Sequence, residues 1–379
     1  MPNNAKKLPA RSGVVALAAV ALAFLPVTEV RGAVAGIHDD LLVVEGIDVE
    51  ARAALIETSG ARVAKVDVRW SQIAPIRPRS QADPADLAYR FERLDAIVGS
   101  LTSRDITPLF SVYSTPRWAA RSPAFSRASG APRPGQFGRF MQALAHRYSG
   151  RYVDIQRGTI PRVRHYEIWN EPNNGRFLAP QRRGRRTVSL GAYVALAKAA
   201  YPRIKKVNPR AVVIAGSTAP RVSTNGSGVS SRDWLNGLAR SPAKFDAYSM
   251  HLTSAKGPRI KGAPYTHWSS LRRIIDDLDS VERREGVPVY VTGAGYATGT
   301  SKFAKSGVTG ARQAKYLRQI FALPVVRSER IPLVVWSNLQ DSPARRTGLL
   351  SANGAEKSSF AKFLGEARRG RRLPKELRR

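Results

Sequence analysis

The chain has 379 residues, of which 43% are hydrophobic, with 62 Lys and Arg against 28 Asp and Glu, a formal charge of +34, five His and no Cys. That apolar fraction belongs to a folded chain, and the missing cysteine excludes a disulfide framework, a thiol nucleophile, Cys-ligated zinc, an iron–sulfur cluster and a lipidated N-terminal cysteine. Five scattered His without H-E-x-x-H spacing argue against a catalytic metal, so neither metal nor cofactor is expected.

Lys6, Lys7 and Arg11 precede an apolar stretch over 14–25 that Pro26 ends. Twelve helical residues rise ~18 Å, short of the ~30 Å hydrocarbon core of a bilayer. A basic start, a short apolar segment and the following Ala33-Val34-Ala35 describe a secretory leader over residues 1–35, cleaved after Ala35, and a secreted or extracytoplasmic protein. Short β-branched runs then alternate with amphipathic segments. Strands are expected near 34–38, 61–70, 108–113, 162–170, 211–217, 245–252, 287–292 and 332–338, and helices over 48–58, 91–101, 136–148, 193–206, 271–285 and 312–323. Such alternation, eight times over, means a parallel sheet. Eight units in this length fold as an α/β protein with a single (β/α)8 TIM barrel over residues 36–366; a doubly wound open sheet is the other architecture. A basic tail over 367–379 follows. The remaining positive charge is spread along the chain. It favours anionic envelope polymers as partners, while no nucleic-acid-binding module is legible and no specific protein partner is indicated.

A barrel places its chemistry at the C-terminal ends of the strands. Those ends read His38-Asp39-Asp40, Arg69-Trp70, Thr115-Pro116-Arg117-Trp118, Asn170-Glu171-Pro172, Ser217-Thr218, His251-Leu252-Thr253, Gly293-Ala294-Gly295-Tyr296 and Trp336-Ser337-Asn338. In the fourth, an apolar strand runs into a carboxyl beside an amide, and Pro172 forces the chain out of the strand. A carboxyl in a partly apolar cleft tends to keep its proton, which suits a general acid.

These segments together resemble the clan A retaining glycoside hydrolases, (β/α)8 enzymes with Asn-Glu-Pro after the fourth strand. The resemblance covers nearly the whole chain after the leader. It implies Glu171 as acid/base, Asn170 on the sugar hydroxyl beside the cleaved bond, Arg69 as the substrate-site arginine of the second strand, His251 from the sixth, and Trp118 and Trp336 as aromatic sugar contacts. The substrate it implies is a β-linked oligo- or polysaccharide. Retention needs a second carboxylate ~5–5.5 Å from the first, which this clan carries on strand seven in a Thr-Glu-x-Gly pattern. Here that stretch reads Thr292-Gly293-Ala294-Gly295, so Gly293 stands where the nucleophile belongs. Thr253 also stands where relatives commonly have a tyrosine that bonds the nucleophile.

Two functions follow. One is a hydrolase-family protein whose remaining chemistry rests on Glu171. The other is a catalytically silent carbohydrate-binding protein at the cell envelope. The volume vacated at Gly293 is expected to admit water or a small anion such as azide, and Gly293→Glu to restore hydrolysis. Asp39, Asp40 and Asp341 are the other mouth carboxylates, none obviously placed to act as base. The glycines of 293–299 do not make a dinucleotide turn, because no helix follows to receive a pyrophosphate.

Overall fold

The computed structural model describes residue 1 and residues 32–370, apart from 123–128, 221, 226, 262–263 and 301–305. Eight strands follow one another around a closed barrel: β1 (Val34–His38), β2 (Val63–Arg69), β3 (Thr107–Tyr113), β4 (His165–Ile168), β5 (Val212–Thr218), β6 (Ala247–Thr253), β7 (Val289–Gly295) and β8 (Leu333–Ser337). All neighbours are parallel. The seam is closed by β1 against β8, with Val34 opposite Leu333 and His38 opposite Ser337. Between the strands run α1 (Val49–Thr58), α2 (Glu92–Ser103), α3 (Pro134–Arg147), α4 (Ser189–Val207), α5 (Ser231–Arg240), α6 (Leu271–Asp279), α7 (Gly310–Phe321) and, after β8, α8 (Ser358–Arg369). The single (β/α)8 barrel expected from the alternation is the fold.

Differences from the sequence expectation are local. The helix expected over 271–285 ends with α6, and a 3-10 turn at Glu282–Arg284 follows. Two of these eight helices were not anticipated. The N-terminus of α5 is capped by Ser230, whose Oγ accepts from Asp233 N at 3.1 Å, and the helix buries Trp234, Leu235 and Leu238. A polar run before it disguises the start. In α8, Phe360, Phe363 and Ala367 turn inward at helical spacing, so this helix takes the first residues of the expected basic tail. Residues 371–379 lie outside the described residues.

Apolar side chains fill two separate spaces. Between sheet and helices lies a large core that includes Trp70, Phe110, Phe137, Tyr193 and Trp234. The barrel interior is plugged by Val34, Val63, Leu109, Ile214, Ala247, Tyr290, Leu333 and Val335. Gly36 permits the seam: a Cβ there would stand 3.1 Å from both Val335 Cγ2 and the Val63 carbonyl.

The expected leader lies almost wholly outside the described residues, but residue 1 and its last four residues, 32–35, do not. Ala33, Val34 and Ala35 are buried, and Val34 and Ala35 pair with β8. A cut after Ala35 therefore falls inside β1. Among the described residues no helix is long and apolar enough to cross a membrane.

Candidate functional site

Side chains two apart on a strand share a face, so one step above the apolar plug the inward positions can be read off: Lys65 above Val63, Ser111 above Leu109, Glu167 above His165, Ser249 above Ala247 and Thr292 above Tyr290. All are polar. Lys65 Nζ lies 3.1 Å from Glu167 Oε2, which also accepts from Ser111 Oγ at 2.8 Å. Thr292 Oγ1 donates to Glu167 Oε1 at 2.6 Å. These contacts tie β2, β3, β4 and β7 together across the interior. Burial alone would raise the Glu167 carboxyl, but the charges of Lys65 and His251 and hydrogen bonds from Thr292 and Ser249 hold it below the ordinary carboxylate range.

At the rim the chain is bent into unusual backbone. Ser114, Trp169, Glu171 and Ser217 all have positive φ, at 74°, 66°, 45° and 47°. Each such non-glycine residue costs of order 1–3 kcal/mol, and such strain clusters at functional sites. Cross-strand bonds hold the bend at β4: Trp169 N donates to the Val112 carbonyl and Glu171 N to that of Ser217, both at 2.9 Å.

Glu171 Oε1 lies 2.9 Å from His251 Nδ1, and Oε2 is 3.5 Å from Asn174 Nδ2. The other imidazole nitrogen, Nε2, is 3.2 Å from Lys65 Nζ and 3.3 Å from Ser217 Oγ. An ammonium can only donate, which makes Nε2 the acceptor; the network thereby assigns the proton to Nδ1, donated to Glu171. Burial and Lys65 lower the His251 imidazole against the pull of Glu171 and Glu167, so it is neutral. For Glu171 burial would raise the carboxyl, yet His251, Arg345 and Lys65 bring it below the ordinary range. Against the sequence expectation of a carboxyl that keeps its proton, the Glu171 carboxyl is lowered and accepts from the His251 Nδ1–H.

Gly293 faces the same imidazole. Pairing between β6 and β7 passes from Met250↔Val291 to His251↔Gly293, a bulge that skips Thr292. A Cβ on residue 293 would stand 2.7 Å from His251 Cδ2 and 2.8 Å from Cγ. The ring is tethered at both nitrogens and has little freedom to yield. The expectation of vacant space at Gly293 is therefore overturned, because the imidazole occupies it.

The other anticipated residues are dispersed. Asn170 is half-buried beside Glu171. Arg69 turns toward β3, its Nε 3.4 Å from Tyr113 Oη, and makes no bond to Glu171. Trp118 is half-buried, donates to the Ala74 carbonyl at 2.8 Å and stands edge-on to Trp70. Trp336 is fully buried with its N–H on the Thr347 carbonyl, so its ring offers no face to a sugar. Asp39 is paired with Arg52 at 2.7 Å and Asp341 with Lys357 at 2.6 Å, both holding loops. Lys65 and Glu167 were missed as site residues. Their signal was a charge at an inward position of an otherwise apolar strand.

A second polar group lies across the mouth on β1 and β2. His38 Nε2 is 3.4 Å from Asp67 Oδ1 and 3.5 Å from Asp40 Oδ1. Tyr113 Oη donates to Asp67 Oδ2 at 3.0 Å, and Asn338 Nδ2 to Asp40 Oδ2 at 2.8 Å. Burial would raise Asp67, but His38, Lys65 and Tyr113 keep it well below the carboxylate range.

No protein-family model and no curated protein matches the sequence. Solved structures do match, and the fold they share with this chain is that of glycoside hydrolases. A family 39 glycoside hydrolase from the gut symbiont Bacteroides cellulosilyticus WH2 superposes with a TM-score of 0.60 at 20% identity over 89% of this chain, which spans 64% of that one. For a monomeric β-xylosidase from Caulobacter crescentus CB15 the figures are 0.61, 17%, 88% and 69%. For the cellulose synthase subunit Z of Clostridioides difficile they are 0.54, 14%, 88% and 99%. At these identities the likeness is one of fold.

Proposed function

We propose that this chain is an exported saccharide-binding protein built on a glycoside-hydrolase barrel, which holds a β-linked oligo- or polysaccharide at the Glu171 mouth without classical retaining hydrolysis. The observation that carries this reading is the His251 imidazole, which fills the place of a side chain at 293 and donates to Glu171. A retaining reaction lacks its nucleophile at 293. What remains suits binding: Glu171 as an acceptor for sugar hydroxyls, with Asn170, Arg69 and Trp118 along the rim. The charge supports an anionic partner. In the β4–α4 connection, which leaves the barrel on the same end as Glu171, a small hairpin pairs Arg182–Arg183 with Arg186–Thr187 and exposes Arg183, Arg185 and Arg186. Export rests on the basic-then-apolar start of the chain, and the burial of Val34 and Ala35 favours a mature N-terminus upstream of them, readable by mass spectrometry of the exported protein.

The test is calorimetry against neutral and acidic β-linked oligosaccharides, run beside turnover of activated aryl β-glycosides with and without azide or formate. Binding that Glu171→Gln weakens, with no turnover under any condition, is the expected result. Anion-dependent turnover that needs Glu171 would instead establish the second reading, residual hydrolysis. That reading draws support from the position of Glu171, partly exposed at the end of β4.

A further inference from the structure

We propose that His38, Asp40 and Asp67 form a binding site for a divalent cation of the zinc class at the mouth of β1 and β2. Among the described residues this is a set of three whose ligand atoms all lie within 4.8 Å of one another. Two further observations separate it from an ordinary cluster of acids. First, His38 is 7% exposed, and its Nε2 is shut off from solvent without a hydrogen-bond partner. A buried polar atom left so is unusual, and one explanation for it is a missing ion. Second, each carboxylate is already held by one oxygen only. Tyr113 donates to Oδ2 of Asp67 and Asn338 to Oδ2 of Asp40, while the two Oδ1 atoms converge on Nε2 at 3.4 and 3.5 Å. Outer hydrogen bonds that orient ligand side chains are a regular feature of metal sites.

The spacing fits a small cation. Zinc takes imidazole nitrogen and carboxylate oxygen at ~2.0–2.2 Å, and two ligands at ~2.1 Å in a tetrahedron stand ~3.4 Å apart. Both measured edges from Nε2 agree. One neutral nitrogen with two carboxylates suits zinc and the neighbouring first-row ions, and three protein ligands leave a position for a non-protein oxygen. Residue spacing does not reveal the site, because His38 and Asp40 come from the end of β1 and Asp67 from β2, and only the pairing of strands in the barrel brings them together. The rival occupant of the same place is a proton on Nε2, forming an imidazolium between two carboxylates.

The experiment uses the full chain, stripped with chelator and titrated calorimetrically with zinc sulfate. Cobalt chloride serves as a spectroscopic probe, because bound Co²⁺ shows visible ligand-field bands. Expected is one zinc per chain, abolished in His38→Ala and unchanged in His146→Ala, whose ring is exposed. Tyr113→Phe, which removes the outer hydrogen bond to Asp67 and the hydroxyl that Arg69 donates to, is expected to weaken binding ~10-fold. Should His38→Ala fail to fold by circular dichroism, Asp40→Asn at the half-exposed rim takes its place, with the same expected loss. The proposal is overturned if folded wild-type protein takes up no zinc or cobalt, which leaves the proton as occupant. It is equally overturned if metal binds but the His38 or Asp40 variant binds it as well as wild type.

Discussion

Two levels inside this barrel, one inward residue apart, have opposite chemistry. The lower is apolar: Val63, Leu109, Ala247 and Tyr290 surround His165, a histidine with neither ring nitrogen bonded. The upper is a polar chain that runs from Glu167 through Lys65 and His251 to Glu171, linked atom to atom. Burial lowers both imidazoles; the lower one has no partner, whereas the upper one is lowered further by Lys65 and pulled back up by Glu171 and Glu167. Partnering, more than burial, separates the two levels, and substitutions at each should respond in opposite ways.

The largest effect is expected from Lys65→Met. It strands the Glu167 carboxylate in the interior, and breaking a buried pair from one side costs about 3–5 kcal/mol. Urea unfolding should show it, and a loss below ~1 kcal/mol would mean that Glu167 does not depend on Lys65. Next comes Gly293→Glu. The new Cβ meets the His251 ring at 2.7 Å, and overpacking of this kind costs about 1–3 kcal/mol. The single variant is expected to be destabilised and inert, contrary to the expectation that it restores hydrolysis. Adding His251→Ala should recover part of the stability, and an active, stable single variant would remove the steric argument. Glu171→Gln keeps an acceptor for His251 Nδ1–H, so its stability change is expected within ~1 kcal/mol while saccharide affinity falls.

Acid titration sharpens the contrast between the levels. Burial pushes the His165 imidazole from 6.5 down to about 3, and His251 is lowered too. As pH falls below ~6.5 the unfolded chain takes up these protons first, so stability present at neutral pH is lost progressively toward pH 3. Glu167 and Glu171, lowered from 4.5, add their loss only below ~4.5. Melting temperatures between pH 6.5 and 4.5 therefore report the histidines. His165→Leu, which sacrifices no hydrogen bond, is expected to flatten that limb slightly, and an unchanged slope would assign it to other groups.

How much of this was legible beforehand follows from the range of each interaction. Strand–helix alternation is local, and the eight strands stand where their β-branched runs are. Glu171 was legible because Asn-Glu-Pro lies on a strand end, and Gly293 because a short pattern lacks its acid. The filling of that place by His251 depends on a bulge between two strands, and the Lys65–Glu167 pair on closure across the barrel axis; neither leaves a trace in neighbouring residues. Trp336 was misjudged because a tryptophan at a strand end reads the same whether it faces the cleft or the helices.

The seam between β1 and β8 ties the way the chain is made to the shape it takes. A chain emerging amino end first can pair its opening strand with β2 but carries the other edge of that strand open until the eighth one arrives, which is the longest-range contact the sheet has to form and the kind that slows folding. Five residue pairs make that joint. Trimming behind Ala35 would leave only Gly36, Ile37 and His38 to latch it, so the position at which a protease cuts also sets how firmly the ring stays shut.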